Sequence, residues 1–397
     1  MAPQGPARAA SPVLAWLLIV ASGLLSGSVA APAHDTRSAL ARLGDQIFHD
    51  PSLSASGRMS CGTCHDAARA FSGADDRAVP LGGAKLESPG LRNAPSLKYL
   101  AYNPGFSFDA QGKAVGGMDR DGRAANLADQ ARGPLLTDFE MGNPSAAAVV
   151  AKMQAADYAV SFRRVFGERA FDDPAQSLEH ALLALAQYER EDTATFAPFN
   201  SKYDLYLAGK AQLSEQELRG LRLFDDPEKG NCAACHPSRR ADDGTPPLFT
   251  DFSYDNVGVP RNPDIPANAD PAYFDLGACA PLCKDLAARH DLCGAFKVPT
   301  LRNIALTGPY FHNGRFRTLR EVVEFYVRRD TNPEEWYPRG TDGLVHKFDD
   351  LPPEHAASVN TSEGPYDRKP GETPALSPEE IDDVVAFLET LSDDYAH

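Results

Sequence analysis

Two short segments carry the most chemistry in this 397-residue chain: Cys61, Cys64 and His65, then Cys232, Cys235 and His236. In each, two thiols three residues apart can add to the two vinyl groups of a haem, and the adjacent histidine is placed under the iron. A zinc ribbon would need four ligands at each place, and a dithiol redox pair would not need the histidine. Two complete matches favour two covalently bound haem c groups, with His65 and His236 as the iron ligands.

The second axial position decides what each haem does. A haem with two protein ligands passes electrons, whereas one with a single ligand can bind peroxide or oxygen. The methionines are Met1, Met59, Met118, Met141 and Met153. None lies in the second half, so a His/Met second haem cannot be built from its own half. No His or Met lies between His65 and Asn93, which leaves the first haem five-coordinate and open. Three cysteines remain, Cys279, Cys283 and Cys293. In an oxidising compartment one pair should bridge, and Cys279 with Cys293 is favoured, a closure stabilising by roughly 3 kcal/mol.

The elements that must position these groups repeat. Leu91, Arg92 and Asn93 recur as Leu301, Arg302 and Asn303. Gly122-Arg123 with Leu127 recurs as Gly314-Arg315 with Leu319. Each set follows one haem segment, so the chain reads as two copies of one unit, joined near residues 200–210. The expected class is mainly α: two cytochrome c-like haem domains related by internal duplication, an N-terminal one over 32–205 with the open haem and a C-terminal one over 206–397 with the electron-transfer haem. Leu40, Leu43 and Ile47 have helical spacing before Pro51. Asp173 caps a helix with Pro174 at its first position. Capping boxes begin three more, at Ser214/Glu217, Thr318/Glu321 and Ser377/Glu380. Residues 251–271 read as an ordered loop, and 106–117 as an insertion.

Residues 1–31 read as a secretory signal, with Arg8 before the apolar run Val13–Val20 and small residues at Ser28 to Ala30. No later segment could span a membrane. The protein is therefore expected in the periplasm, without a membrane span after signal cleavage. Its formal charge of −16 argues against nucleic acid, which wants a basic surface.

The segments "LSASGRMSCGTCHD", "LRNAPSL", "DGRAANLADQARGPLLTDFEMG" and "FKVPTLRNIALTGPYFHNGRFRTLREVV" resemble the bacterial di-haem cytochrome c peroxidase superfamily, and within it the MauG/MbnH branch. The resemblance covers nearly the whole mature chain. Conventional members place a methionine ligand fourteen residues after the position of His312; here that residue is Tyr326, and the MauG-like branch has a tyrosine ligand there. Tyr326 shares a helical face with Leu319, Val322 and Val323, which points it inward. By resemblance, Gln130 and Glu140 are the distal pair of the first haem, and Pro134 lines the same pocket. Glu140 would take a proton from the near oxygen of peroxide and return it to the far one. The family tryptophan between the haems, ten residues before Gln130, is Arg120 here; Tyr99, Tyr102, Phe106 or Phe108 could substitute as electron relays. The resemblance also implies a calcium ion held by the Asn93 side chain and the backbone carbonyls of Thr307 and Pro309.

The leading expectation is a peroxide-activated di-haem oxidoreductase that uses a high-valent di-haem state to oxidise an exported protein partner, at Trp residues. The alternative is a conventional di-haem cytochrome c peroxidase, which reduces hydrogen peroxide with electrons from a small redox protein. A non-enzymatic electron carrier is the third reading. Tyr326 favours the first and Glu140 disfavours the third.

Overall fold

The computed structural model describes residues 1–2, 4–5, 35–280, 286 and 288–396. The apolar run and cleavage site expected of the leader lie outside the described residues, as does Cys283. Arg37–His397 form one compact unit.

The chain is mainly helical. Eleven described helices run in order: α1 Ala39–Phe48, α2 Cys61–Cys64, α3 Leu127–Leu136, α4 Ala146–Ala155, α5 Ala159–Phe166, α6 Pro174–Glu191, α7 Thr193–Phe196, α8 Lys202–Leu207, α9 Glu215–Asp225, α10 Leu319–Arg328 and α11 Pro378–Glu389. The starts follow local capping chemistry. Asp173 accepts from the N–H groups of Ala175 and Gln176 ahead of Pro174. The capping boxes at Ser214, Thr318 and Ser377 all form, each satisfying backbone donors that a helix leaves unpaired.

Among the described residues, strand structure is confined to three two-residue antiparallel pairs: β1 Leu81–Gly82 with β2 Ser88–Pro89, β3 Ser107–Phe108 with β4 Ala114–Val115, and β5 Tyr254–Asp255 with β6 Phe296–Lys297. The segment read as an insertion is the β3–β4 hairpin. The loop over 251–271 holds β5 and a single 3-10 turn, Pro266–Ala269. The region expected as a join contains α8, whose Tyr203 and Asp204 are buried.

Two apolar cores form. One draws on Leu43, Ile47, Phe48, Leu182, Leu185, Tyr188 and Phe196; the other on Tyr203, Phe224, Phe249, Phe325, Phe387 and Leu391. Each is built on a close helix crossing. A Cβ on Gly44 of α1 would come within 1.9 Å of the Ala184 carbonyl oxygen on α6, and a Cβ on Gly220 of α9 within 1.9 Å of the Asp383 carbonyl oxygen on α11. Only glycine permits either crossing. The repeated Leu-Arg-Asn segments serve as anchors: Arg92 binds Asp275 through Nε and Nη2 and Asp121 through Nη1, and Arg302 binds Asp204 bidentately at 2.8 Å. Bidentate guanidinium–carboxylate pairs hold both position and orientation. Cys279 is bonded to Cys293.

Candidate functional site: two haem segments and the cavity between them

Each histidine of the haem segments is oriented by a main-chain carbonyl. His65 Nδ1 lies 2.9 Å from the Phe71 oxygen, and His236 Nδ1 lies 2.7 Å from the Phe249 oxygen. The carbonyls of Pro95 and Pro299 respectively add to these contacts. Burial lowers the pKa of both rings, which favours neutral imidazole. A ring whose Nδ1–H is donated to a carbonyl offers Nε2 to a metal.

Cys61, Cys64, Cys232 and Cys235 are not disulfide-bonded. Burial pushes Cys61, Cys232 and Cys235 up to about 12 and Cys64 up to about 11. A redox dithiol needs the opposite shift, toward thiolate. Neither segment has further metal ligands gathered round it. The single group of three His, Cys, Asp or Glu side chains close enough to hold a metal, among the described residues, is His290, Cys293 and His355, and its sulfur belongs to the disulfide.

A cavity of about 300 Å³ is lined by Cys232, Cys235 and His236, and by Tyr326. It continues past Phe296, Lys297 and Arg120 to Asp119 and Gln130. The structure thus brings Tyr326 to the cavity of the second haem segment. Its ring packs 5.8 Å from Tyr366 and 5.7 Å from Phe311. Burial and the charge of Asp255 hold the phenol well above its ordinary pKa. A nearby metal cation would reverse that shift. No methionine lines the cavity. His312 also lines the cavity, stacked on Phe296 at 3.8 Å, whereas His290 is exposed and not part of its lining.

On the first side, Gln130 and Pro134 sit one turn apart on α3, and Glu140 follows in the next turn. Gln130 Nε2 donates to Asp119 Oδ1 at 3.4 Å. Burial raises Glu140, and the charge of Asp119 raises it further, while Arg123 opposes both. The charge of Glu140 also raises Cys64 of the first haem segment. Its backbone is pinned: the Gly83 N–H donates to the Glu140 carbonyl at 2.7 Å, and a Cβ on Gly82 would lie 2.9 Å from the Glu140 Cα.

Three further groups escaped the sequence reading. Asp119, in left-handed backbone (φ 61°), is the carboxylate that Gln130 touches. Tyr366 packs on the Tyr326 ring. Glu189 is buried on α6 next to Cys61, its Oε2 without a hydrogen-bond partner, and burial pushes it up to about 8. Only Glu189 left a signal in the sequence, an acid on the apolar face that carries Leu182 and Leu185.

The four rings proposed as substitutes for the missing tryptophan are elsewhere. Tyr102 and Phe108 are exposed, Tyr99 hydrogen-bonds Asp393, and Phe106 packs on Phe108 and Tyr254. The aromatic groups that do line the cavity near Arg120 are Phe296 and His312. The expected calcium ligands Thr307 and Pro309 line it too, but Arg120 donates to both oxygens of Asn93. An oxygen cage with Asn93 as ligand does not fit.

The methylamine utilization protein MauG of Paracoccus denitrificans is 38% identical over 391 residues, covering 95% of this chain and 93% of that one. This chain belongs to the di-haem cytochrome c peroxidase family. The family profile of that description matches residues 38–212. The cytochrome c551 peroxidase of Nitrosomonas europaea is 33% identical over 74% of this chain and 75% of its own. The crystal structure of the diheme peroxidase BthA from Burkholderia thailandensis superposes with a TM-score of 0.82 at 40% identity, covering 89% of this chain and 86% of that one. As a member of the di-haem peroxidase family, the protein is a peroxidase-type oxidoreductase with two haem groups. No helix among its described residues is long and apolar enough to cross a membrane.

Proposed function

We propose that the protein is a peroxide-activated di-haem oxidoreductase of the MauG type, which withdraws electrons from an exported protein partner, with Trp residues as the target. The observation that carries this reading is Tyr326 at the cavity of Cys232, Cys235 and His236, in a half-chain without methionine. In this reading the thiols of Cys61, Cys64, Cys232 and Cys235 form the thioether bonds of two haem c groups.

A haem so held supplies an iron centre that reacts with peroxide and stores oxidising equivalents. The chain's own residues do the rest. His65 and His236 offer neutral Nε2 ligands. Tyr326 offers its phenol oxygen to the second iron, its ring packed on Tyr366. Gln130 orients the peroxide, Pro134 shapes the pocket, and Glu140 holds the transferred proton on its carboxyl group. Its raised pKa suits that task, because a base that must also release the proton works best near the ambient pH.

We also read residues 32–205 and 206–397 as two copies of one haem unit, the first open to peroxide and the second passing electrons. The paired glycine crossings at Gly44 and Gly220 support this, as do the matched imidazole–carbonyl contacts. The bridges Met118 to Ala124 and Tyr310 to Phe316 support it further, since they close the same turn before α3 and α10. The Cys279–Cys293 bond suits the periplasm.

The name given to the Nitrosomonas relative, cytochrome c551 peroxidase, favours a second reading, reduction of hydrogen peroxide with electrons from a small redox protein. Product analysis separates the two. The purified holoprotein should carry two covalent haem additions by mass spectrometry, and peroxide should drive modification of Trp in its partner. Sustained peroxide reduction by a small redox protein, with no modified partner, would select the second reading.

A further inference from the structure

The wall of the cavity at the second haem segment carries side-chain cations where the resemblance implies a calcium ion. Arg120 Nη2 donates to Asn93 Oδ1 at 2.7 Å, and Arg120 Nε donates to the Asn93 carbonyl at 3.0 Å. The Asn93 N–H donates to the His312 carbonyl at 2.7 Å, so this buried residue is held on three sides. Lys297 is the next group along. Its N–H donates to the Arg120 carbonyl at 2.8 Å, and both residues line the cavity. Burial and the charge of Arg120 bring Lys297 down to about 8; burial and the charge of Arg92 bring Arg120 down to about 10.

The surrounding carboxylates are already committed. Asp275 and Asp121 bind Arg92 at 2.6 to 2.7 Å. Asp119 faces Arg123, Gln130 and Lys297. Calcium needs six to eight oxygen ligands at short range. Placed here, it would meet an asparagine whose oxygens are taken and two cations that repel it. Arg120 and Lys297 together carry the formal charge, +2, that the metal would have brought. In the second repeat the matching asparagine is also bound by a side chain: Asn303 Nδ2 donates to Asp393 Oδ2 at 2.7 Å, and Asn303 Oδ1 accepts from the Asp393 N–H.

We propose that the Arg120 guanidinium, with the Lys297 ammonium beside it, takes the place of a divalent cation between the two haem sites, so that the protein works without calcium. A cation carried on the chain cannot dissociate, and its donors fix Asn93 directly. The inference rests on the two-haem reading above, but its test reads metal content and metal response, which are measured separately from haem attachment.

The holoprotein, purified without chelator, should contain calcium well below one atom per chain by elemental analysis. EGTA followed by calcium chloride should leave the absorption spectra of both haems and the thermal midpoint unchanged. Arg120→Ser frees both oxygens of Asn93. In that variant, calcium chloride at about 1 mM or below, the range of weak oxygen-ligand sites, should shift the haem spectra or raise the midpoint, and EGTA should reverse the change. One calcium per wild-type chain whose removal alters the spectra would overturn the proposal. So would an Arg120→Ser holoprotein as indifferent to calcium as the wild type. If that variant fails to fold, the wild-type metal analysis and EGTA response still decide.

Discussion

The rings of Tyr326 and Tyr366 pack 5.8 Å apart in the cavity that also holds His236. On the proposed reading the Tyr326 oxygen binds iron, and a neighbouring phenol would favour its anionic form. Arg329, 4.4 Å from the Tyr366 ring centre, holds that partner in place. The pair is therefore expected to act together.

Tyr326→Phe should change the absorption spectrum of one haem, leave the other nearly unaltered, and abolish the long-lived peroxide-oxidised protein. Tyr366→Phe removes the polar group packed beside the ligand and should shift the same haem's spectrum and reduction potential by less than Tyr326→Phe. Redox titration with optical detection would show both. If Tyr326→Phe leaves both spectra as they were, Tyr326 is core packing, and His312 becomes the ligand to examine.

Glu140→Gln should retain both haems and slow the reaction with peroxide by about 100-fold or more, the usual worth of a general base. Stopped-flow absorption measures the rate directly. Gly82→Ala tests the same carboxylate through its backbone. The added methyl must push Glu140 aside, and misplacement of an ångström costs between about 10- and 100-fold. Wild-type rates in Glu140→Gln would remove the residue from proton transfer.

Glu189 ties stability to pH. Its carboxyl is held at about 8 in the folded chain, against roughly 4.3 when unfolded. Below the unfolded value it is neutral in both states and has no effect. Between the two values the unfolded chain is ionised and the folded chain is not, so stability falls as pH rises, and above the folded value the penalty is complete. Every tenfold difference in proton affinity between the two states is worth about 1.4 kcal/mol. Glu189→Gln should therefore flatten the pH dependence of holoprotein denaturation between about pH 5 and 8, and raise stability by a few kcal/mol at the upper end. An unchanged slope would show that Glu189 is solvated or paired in the holoprotein.

Reduction of Cys279–Cys293 frees a loop spanning 14 residues, at an expected cost of roughly 3 kcal/mol. The β5–β6 pair ends at Lys297, four residues past Cys293, so this cost should fall locally. Urea denaturation with and without reductant, and hydrogen exchange at Phe296 and Lys297, would measure it.

The sequence by itself determined what depends on neighbours along the chain. The two Cys-x-x-Cys-His segments are local, because their two thiols and imidazole fall within five residues. The helix starts at Asp173, Ser214, Thr318 and Ser377 are local too, since a capping side chain reaches only the first turn. The helical spacing marked the face of α10 that carries Tyr326, and the structure brings that residue to the cavity. Distances across the fold were not. Tyr366 lies 40 positions from Tyr326, and only packing brings their rings together. Phe296 and His312 reach the cavity because β6 pairs with β5 and Asn93 binds the His312 backbone; the four rings chosen near Arg120 in sequence turn to the surface or to other partners. The oxygens of Asn93 looked available in the sequence, but the fold swings the Arg120 guanidinium onto both. Which polar group satisfies which is a property of the folded chain, because buried donors and acceptors take the nearest partner in space.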